Sequence, residues 1–265
     1  FLNEYISPYA ERLRFITNFS GSAGKVIILQ NEAYLYVDGR YTFQAKEQIN
    51  ENEIKSKHLN LFWEDLKTYV SKENCEIAID PKLHSIKEIQ KIQDYILNTS
   101  SNIKFLDSNI IDSIWKNKPN IEYSNIFDHP LKYAGEDRVK KLIDFKKYLK
   151  EKKIDHYLVT GLDNIAWLLN IRGDDILFTP LVYAYLLISQ NEKPSLFINQ
   201  NKINEHLKSE LKKNINISSI DNIENIFSNI NNGEFVGLDF SATTYYFLTF
   251  LEKNNIKYKN ITNFC

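Results

Sequence analysis

Apolar and polar positions along this chain fall into short blocks that switch between a period near two and a period near 3.6. Glu11–Phe19 (ERLRFITNF) places apolar residues at helical spacing and runs into a turn, SGSAG. KVIILQ and AYLYV follow, separated by Asn31-Glu32, and predict two strands. TFQAKEQI predicts a helix, as does Leu61–Val70, where Trp63, Leu66 and Val70 share a face. CEIAID predicts a short buried strand. Ser85–Leu97 predicts an amphipathic helix, with Ser85 as its cap and Glu88 three residues later. NIKFLD predicts a strand, and NIIDSIWKNKP a helix stopped by Pro119.

Between Pro119 and Ala134 the periodicity fades, and two prolines and polar residues suit an interdomain connection. Two domains are expected, 1–125 and 132–265. The second opens on a charged helix, Glu136–Ile154, with an apolar stripe at Val139, Leu142, Ile143, Phe145 and Leu149. Its lysines and interleaved acids predict a solvated face. Then come a strand (DHYLVT), a short helix from Leu162 with Asp163 as a candidate cap, and a hairpin of VYAYLLIS and PSLFIN around Asn191-Glu192. A helix (INEHLKSELKK), a weaker one near Ile220–Ile230, a strand (FVGLDF) and a helix (TTYYFLTFLEKNN) complete the pattern.

The two halves echo each other. NFSG (Asn18–Gly21) and NIRG (Asn170–Gly173) each end a helix, and QNE stands between two strands at Gln30 and again at Gln190. IAID begins 47 residues after Gln30, and VGLD 46 residues after Gln190. Common order and spacing argue for a duplicated α/β unit.

Composition narrows the function classes. With 33 Lys and Arg against 34 Asp and Glu, there is no broad pull toward nucleic acid or anionic lipid. No apolar run reaches the roughly 18–20 residues of a membrane helix. Cys75 and Cys265 make no disulfide framework and fit a reducing compartment. A chain that opens on Phe1 and contains no Met reads as a processed or excised piece.

Chemistry is sparse. The five histidines (His58, His84, His129, His156, His206) stand singly, with no metal-ligand spacing. GSAG lacks the Lys-Ser/Thr ending of a phosphate loop and precedes a strand, so a tight turn accounts for it. Asp80 precedes Pro81 and reads as turn initiation. Trp63, Trp115 and Trp167 lie in helical patterns, as core or interface residues would. Arg40 and Arg172, each beside a glycine near an element end, are the conspicuous polar side chains. An arginine there can fork onto a carboxylate of a structural neighbour or of a ligand. Both roles remain open at this point.

Long stretches carry a resemblance. NEYISPYAERLRFITNFSGSAGKVII, followed by DGRYTFQA, resembles the first domain of the cytosolic-type aminopeptidase P family (X-Pro aminopeptidases, of the creatinase/prolidase group). YLVTGLDNIAWLLNIRGDDILFTPLVYAYLLI resembles that family's second domain. The resemblance implies two tandem creatinase-N-like α/β domains, each a mixed sheet flanked by helices, with the first domain starting after the family's first strand. It implies that catalysis belongs to a third, C-terminal domain whose two Asp, one His and two Glu hold a dinuclear centre, usually manganese. None of those catalytic or metal residues can be placed on this chain. By the same likeness, Arg40 of the DGRY motif is a contact for peptide substrates with proline second, while Arg172 matches the family's NxRG without an assigned substrate role and keeps its structural reading. A cytoplasmic homodimer, joined through the catalytic domain, is implied as well. The alternative is a non-catalytic protein-binding module of the kind found in the large subunit of the histone chaperone FACT.

Overall fold

The computed structural model describes residues 1–72 and 74–262. They form two compact units. The first comprises Glu4–Asp80 and Ile89–Ile121; the second comprises Phe1–Asn3, Pro81–Glu88 and Glu122–Cys265.

In the first unit, α1 (Arg12–Thr17) ends at Asn18, which takes the left-handed conformation (φ 62°) as its backbone N–H donates to the Arg14 carbonyl. Asparagine tolerates that region better than most residues, which is why the helix stops there. Strands β1 (Gly24–Ile28) and β2 (Ala33–Val37) form an antiparallel hairpin, with Gly24 opposite Val37 and Ile28 opposite Ala33. Helix α2 (Thr42–Gln48) then leads to β3 (Lys55–His58), which pairs parallel to β2. Leu35 and Val37 from β2 pack with Phe19, Ala45, Ile49 and Ile54 into a small core.

Helix α3 (Phe62–Lys72) buries Phe62, Leu66 and Val70. Strands β4 (Glu76–Ile79) and β5 (Asn102–Phe105) pair in parallel as a separate two-stranded sheet. Only Ile79 of β4 is buried, so CEIAID is a half-exposed strand rather than a buried one. Between these strands in sequence comes α4 (Ile86–Ile96), whose first residues, counted with the second unit, realise the capping box. The Glu88 N–H donates to Ser85 Oγ at 3.2 Å, and the Ser85 N–H to Glu88 Oε2 at 3.1 Å. Helix α5 (Ile110–Ile114) is shorter than its pattern. Trp115 leaves helical geometry (ψ 79°) four residues before Pro119.

The second unit is built on a six-stranded mixed sheet. Its strands are β7 (His156–Val159), β9 (Ala184–Ser189), β10 (Ser195–Ile198), β11 (Asn216–Ser219), β12 (Phe235–Leu238) and β13 (Lys257–Asn260). Their order is β11-β10-β9-β7-β12-β13; β9 pairs antiparallel to both neighbours and the other pairs are parallel. Every residue of β7 is buried, as expected for a central strand covered on both faces. Helices α7 (Arg138–Lys152), α8 (Leu162–Leu169), α9 (Glu205–Lys212) and α10 (Tyr245–Lys253) complete the layers. The core gathers Leu142, Phe145 and Leu149 of α7 with Ile165 and Leu168 of α8 and the inward faces of β7, β9 and β10.

Short α6 (Leu131–Ala134) and β6 (Phe127–Asp128) lie within the proline-bearing stretch; β6 pairs antiparallel with β8 (Ile171–Arg172). Three local expectations change. Asp163 does not cap α8: the cap is Gly161, without a side-chain bond. The pattern near Ile220 is a 3-10 turn, Ile220–Asn225. The face of α7 is not wholly solvated, because Lys141 is 2% exposed. Cys75 is free, with Sγ 3.2 Å from Ser101 Oγ, and Cys265 lies outside the described residues.

Candidate functional site around Arg40

Strand β2 ends at Val37, and Asp38 turns the chain into a 3-10 turn, Gly39–Tyr41, that runs straight into α2. Aspartate is a good residue for this place because its carboxylate can satisfy an N–H that the turn leaves open. Asp38 Oδ1 accepts from the Arg40 backbone N–H at 3.0 Å and from Arg40 Nε at 2.8 Å. The bond from the Arg40 side chain, followed by the one from its backbone, holds the Asp38 carboxyl below the usual carboxylate range.

Gly39 leaves room for a close approach. A Cβ there would lie 3.1 Å from Nε2 of His58, the last residue of β3. The other ring nitrogen, Nδ1, accepts from the Asn60 N–H at 3.3 Å. Tyr41 follows the arginine and lies beside it. The guanidinium carbon lies 5.6 Å from its ring centroid, the ring packs edge-on against Phe19, and its hydroxyl is 3.0 Å from Ser22 Oγ.

The result is an arginine held at one end only. Its side chain is 70% exposed, and among the described residues neither Nη has a hydrogen-bond partner. The Nε bond sets direction, and the two Nη groups present a planar donor fork outward. An exposed ion pair such as Arg40–Asp38 contributes little to stability, so the fold does not need all of this guanidinium. Chemically the fork suits a carboxylate or a peptide carbonyl.

Arg172, in the second unit, is a contrasting case. Its Nη1 donates to the Ala166 carbonyl at 2.7 Å and to the Ile171 carbonyl at 2.8 Å, and burial lowers its pKa. It ties off the end of α8, a structural task.

The histidines also find their places. His156 lies within 2.8 Å of Ser189 Oγ and 3.1 Å of Glu234 Oε2 at the edge of the second unit's core. His129 and His206, far apart in sequence, line one cavity of about 290 Å³. Its charged groups are largely used internally, Arg138 on Asp128 and Lys213 on Glu210. Among the described residues no three His, Cys, Asp or Glu are grouped so as to hold a metal ion. No helix of the described residues is long and apolar enough to cross a membrane. One residue of interest escaped the sequence patterns. Phe43, on the first turn of α2, is 85% exposed; a phenylalanine inside an amphipathic block is ordinarily assigned to the core.

Comparison with known proteins places these features in a family. Two family models match in tandem, both described as creatinase/prolidase N-terminal domain, over residues 2–113 and 117–264. A probable Xaa-Pro aminopeptidase P of Coccidioides posadasii is 33% identical over 213 residues, covering 79% of this chain and 33% of its own. Aminopeptidase P1 of Lotus japonicus is 31% identical over 217 residues, covering 80% and 32%. The chain thus spans about a third of the length of these curated relatives. Among solved structures, the X-prolyl aminopeptidase of Caenorhabditis elegans, described as a cytosolic enzyme with a di-nuclear active site, superposes with a TM-score of 0.85 at 26% identity. The match covers 98% of this chain and 44% of that one. On these matches and on its two α/β units, the chain belongs to the creatinase/prolidase N-terminal domain family, with two such domains in tandem.

Proposed function

We propose that this chain is the N-terminal, non-catalytic part of a metal-dependent X-Pro aminopeptidase, with its domains spanning 1–125 and 132–265. The whole enzyme releases the N-terminal residue from peptides with proline second. It acts in the cytoplasm as a homodimer joined through a further, catalytic domain that holds a dinuclear manganese centre. The observation that carries the reading is Arg40, fixed at Nε by Asp38 and open at both Nη groups, on a chain whose relatives are named Xaa-Pro aminopeptidases. Support for the metal and the compartment comes from the Caenorhabditis elegans relative, described as cytosolic with a di-nuclear active site.

In this reading the chain's own work is binding. Arg40 donates from its Nη groups to a carbonyl or carboxylate of the peptide, and so closes one end of the cleft in favour of short peptides. Because the donor fork is already oriented, little conformational freedom is lost on binding. The test is hydrolysis of an X-Pro tripeptide by the full-length protein with manganese and by residues 1–265 alone. The full-length protein is expected to release the first residue and the shorter piece to be inactive. Turnover by residues 1–265 would overturn the assignment.

A further inference from the structure

We infer that Phe43 acts beside Arg40 as an apolar contact for the side chain that follows proline, giving the enzyme a preference at the third residue of its substrate. The inference rests on the reading of Arg40 as a substrate contact.

Phe43 stands three residues after Arg40, and the 3-10 turn Gly39–Tyr41 passes directly into α2. Side chains three apart are eclipsed in a 3-10 turn and are neighbours on an α-helix. A spacing of three thus brings Phe43 to the same side of the chain as Arg40, with Tyr41 (φ −106°, ψ 7°) at the junction. Elsewhere on α2, Thr42, Lys46 and Glu47 are exposed polar residues. Ala45 is buried, and Gln44 and Gln48 bond to Ser20. Phe43 is 85% exposed and Arg40's side chain 70%. One short stretch thus offers water an exposed aromatic ring three residues after an arginine whose Nη groups are open.

That combination fits a peptide segment. A backbone carbonyl or terminal carboxylate accepts from the fork while the adjoining side chain covers the ring, removing both from water together. The free amine and the proline of an X-Pro peptide are committed to the cleavage chemistry, so the first side chain available to a neighbouring domain is the third. An exposed phenylalanine favours leucine or phenylalanine there over glycine, which has nothing to cover it.

The test compares kcat/KM of the full-length protein on Ala-Pro-Gly and Ala-Pro-Leu peptides of equal length, for wild type, Phe43→Ala, Phe43→Leu and Arg40→Ala. Wild type is expected to prefer the leucine peptide by about five- to tenfold. Phe43→Ala should abolish that preference while leaving the glycine peptide within about twofold, and Phe43→Leu should keep most of it. Arg40→Ala should slow both peptides alike. An equal loss on both peptides in Phe43→Ala, or no change on either, would overturn the role of Phe43 alone. Failure of wild type to cleave any X-Pro peptide would overturn the functional reading and this inference with it.

Discussion

Arg40 and Lys141 show how one cation is freed and another consumed by its surroundings. Asp38 binds Arg40 through its backbone N–H and, on the side chain, through Nε, and the side chain stays 70% exposed. Lys141 lies on the inward face of α7, where Nζ donates to the Trp167 carbonyl at 2.7 Å and to Asn170 Oδ1 at 2.8 Å beneath the Trp167 ring. An ammonium at the end of α8 meets the negative pole of that helix as well as its open carbonyls. Lys141→Ala should therefore destabilise the protein by roughly 2–4 kcal/mol in urea unfolding, while Lys140→Ala, on the exposed side, should change it by less than about 0.5 kcal/mol. Nothing in a run of lysines and acids distinguishes these two positions. Burial at Lys141 follows from where α8 ends, a tertiary fact. The turn at Asp38-Gly39, by contrast, was legible from residue types, and so was the arginine's position just past it.

Elements were legible where a pattern of burial had to be written into the residues. The β1-β2 and β9-β10 hairpins, the capping box of α4, and the asparagines that end α1 and α8 in left-handed geometry (φ 62° and 51°) all follow from local chemistry. Apart from the two-residue pair β6 and β8, the strands that left no pattern are β3, β11 and β13, with sequences KSKH, NISS and KYKN. Each lies at the edge of its sheet, where one neighbour suffices and little side-chain area is buried, so no alternation is required.

The tie between α1 and α5 was equally invisible, since its partners are 100 residues apart. Asp112 receives Arg12 Nε and Nη2 at 2.8 and 2.7 Å, and Lys118 Nζ at 2.7 Å. Burial pushes its carboxyl up, but the bonds from Arg12 and Lys118 outweigh that and hold it below the ordinary value. A carboxyl depressed in the folded state stabilises the fold above its unfolded pKa of about 3.9, and that stability is lost as pH falls through the folded value. Asp112→Asn should lower stability at pH 7 by roughly 1–3 kcal/mol and flatten the acid limb of the stability–pH curve below about pH 4. An unchanged acid limb would show that other carboxyls carry it.

At the scale of the molecule, the echo between the two halves becomes a correspondence of strands. In each half a hairpin is followed by a parallel strand, β1-β2-β3 and β9-β10-β11, and then by a parallel pair, β4-β5 and β12-β13. In the second unit β7 stands between these two groups and joins them into one sheet of six. Among the described residues of the first unit no strand takes that place, and the groups form separate sheets of three and two. The two family matches, one on each half, agree with a repeated domain.

The proposed substrate role rests on one arginine, Arg40, held at Nε by Asp38 and open at both Nη groups among the described residues. The central claim is therefore about Arg40, and the most direct measurement is kcat/KM of full-length Arg40→Ala on an X-Pro tripeptide, with thermal unfolding followed in parallel. Losing one charge-assisted anchor is expected to cost roughly 1.5–3 kcal/mol of transition-state binding, about a tenfold to hundredfold fall in kcat/KM, with the unfolding temperature unchanged. Wild-type kinetics in the variant, or a fall matched by loss of folding, would contradict the account and leave Arg40 as a residue of the turn alone.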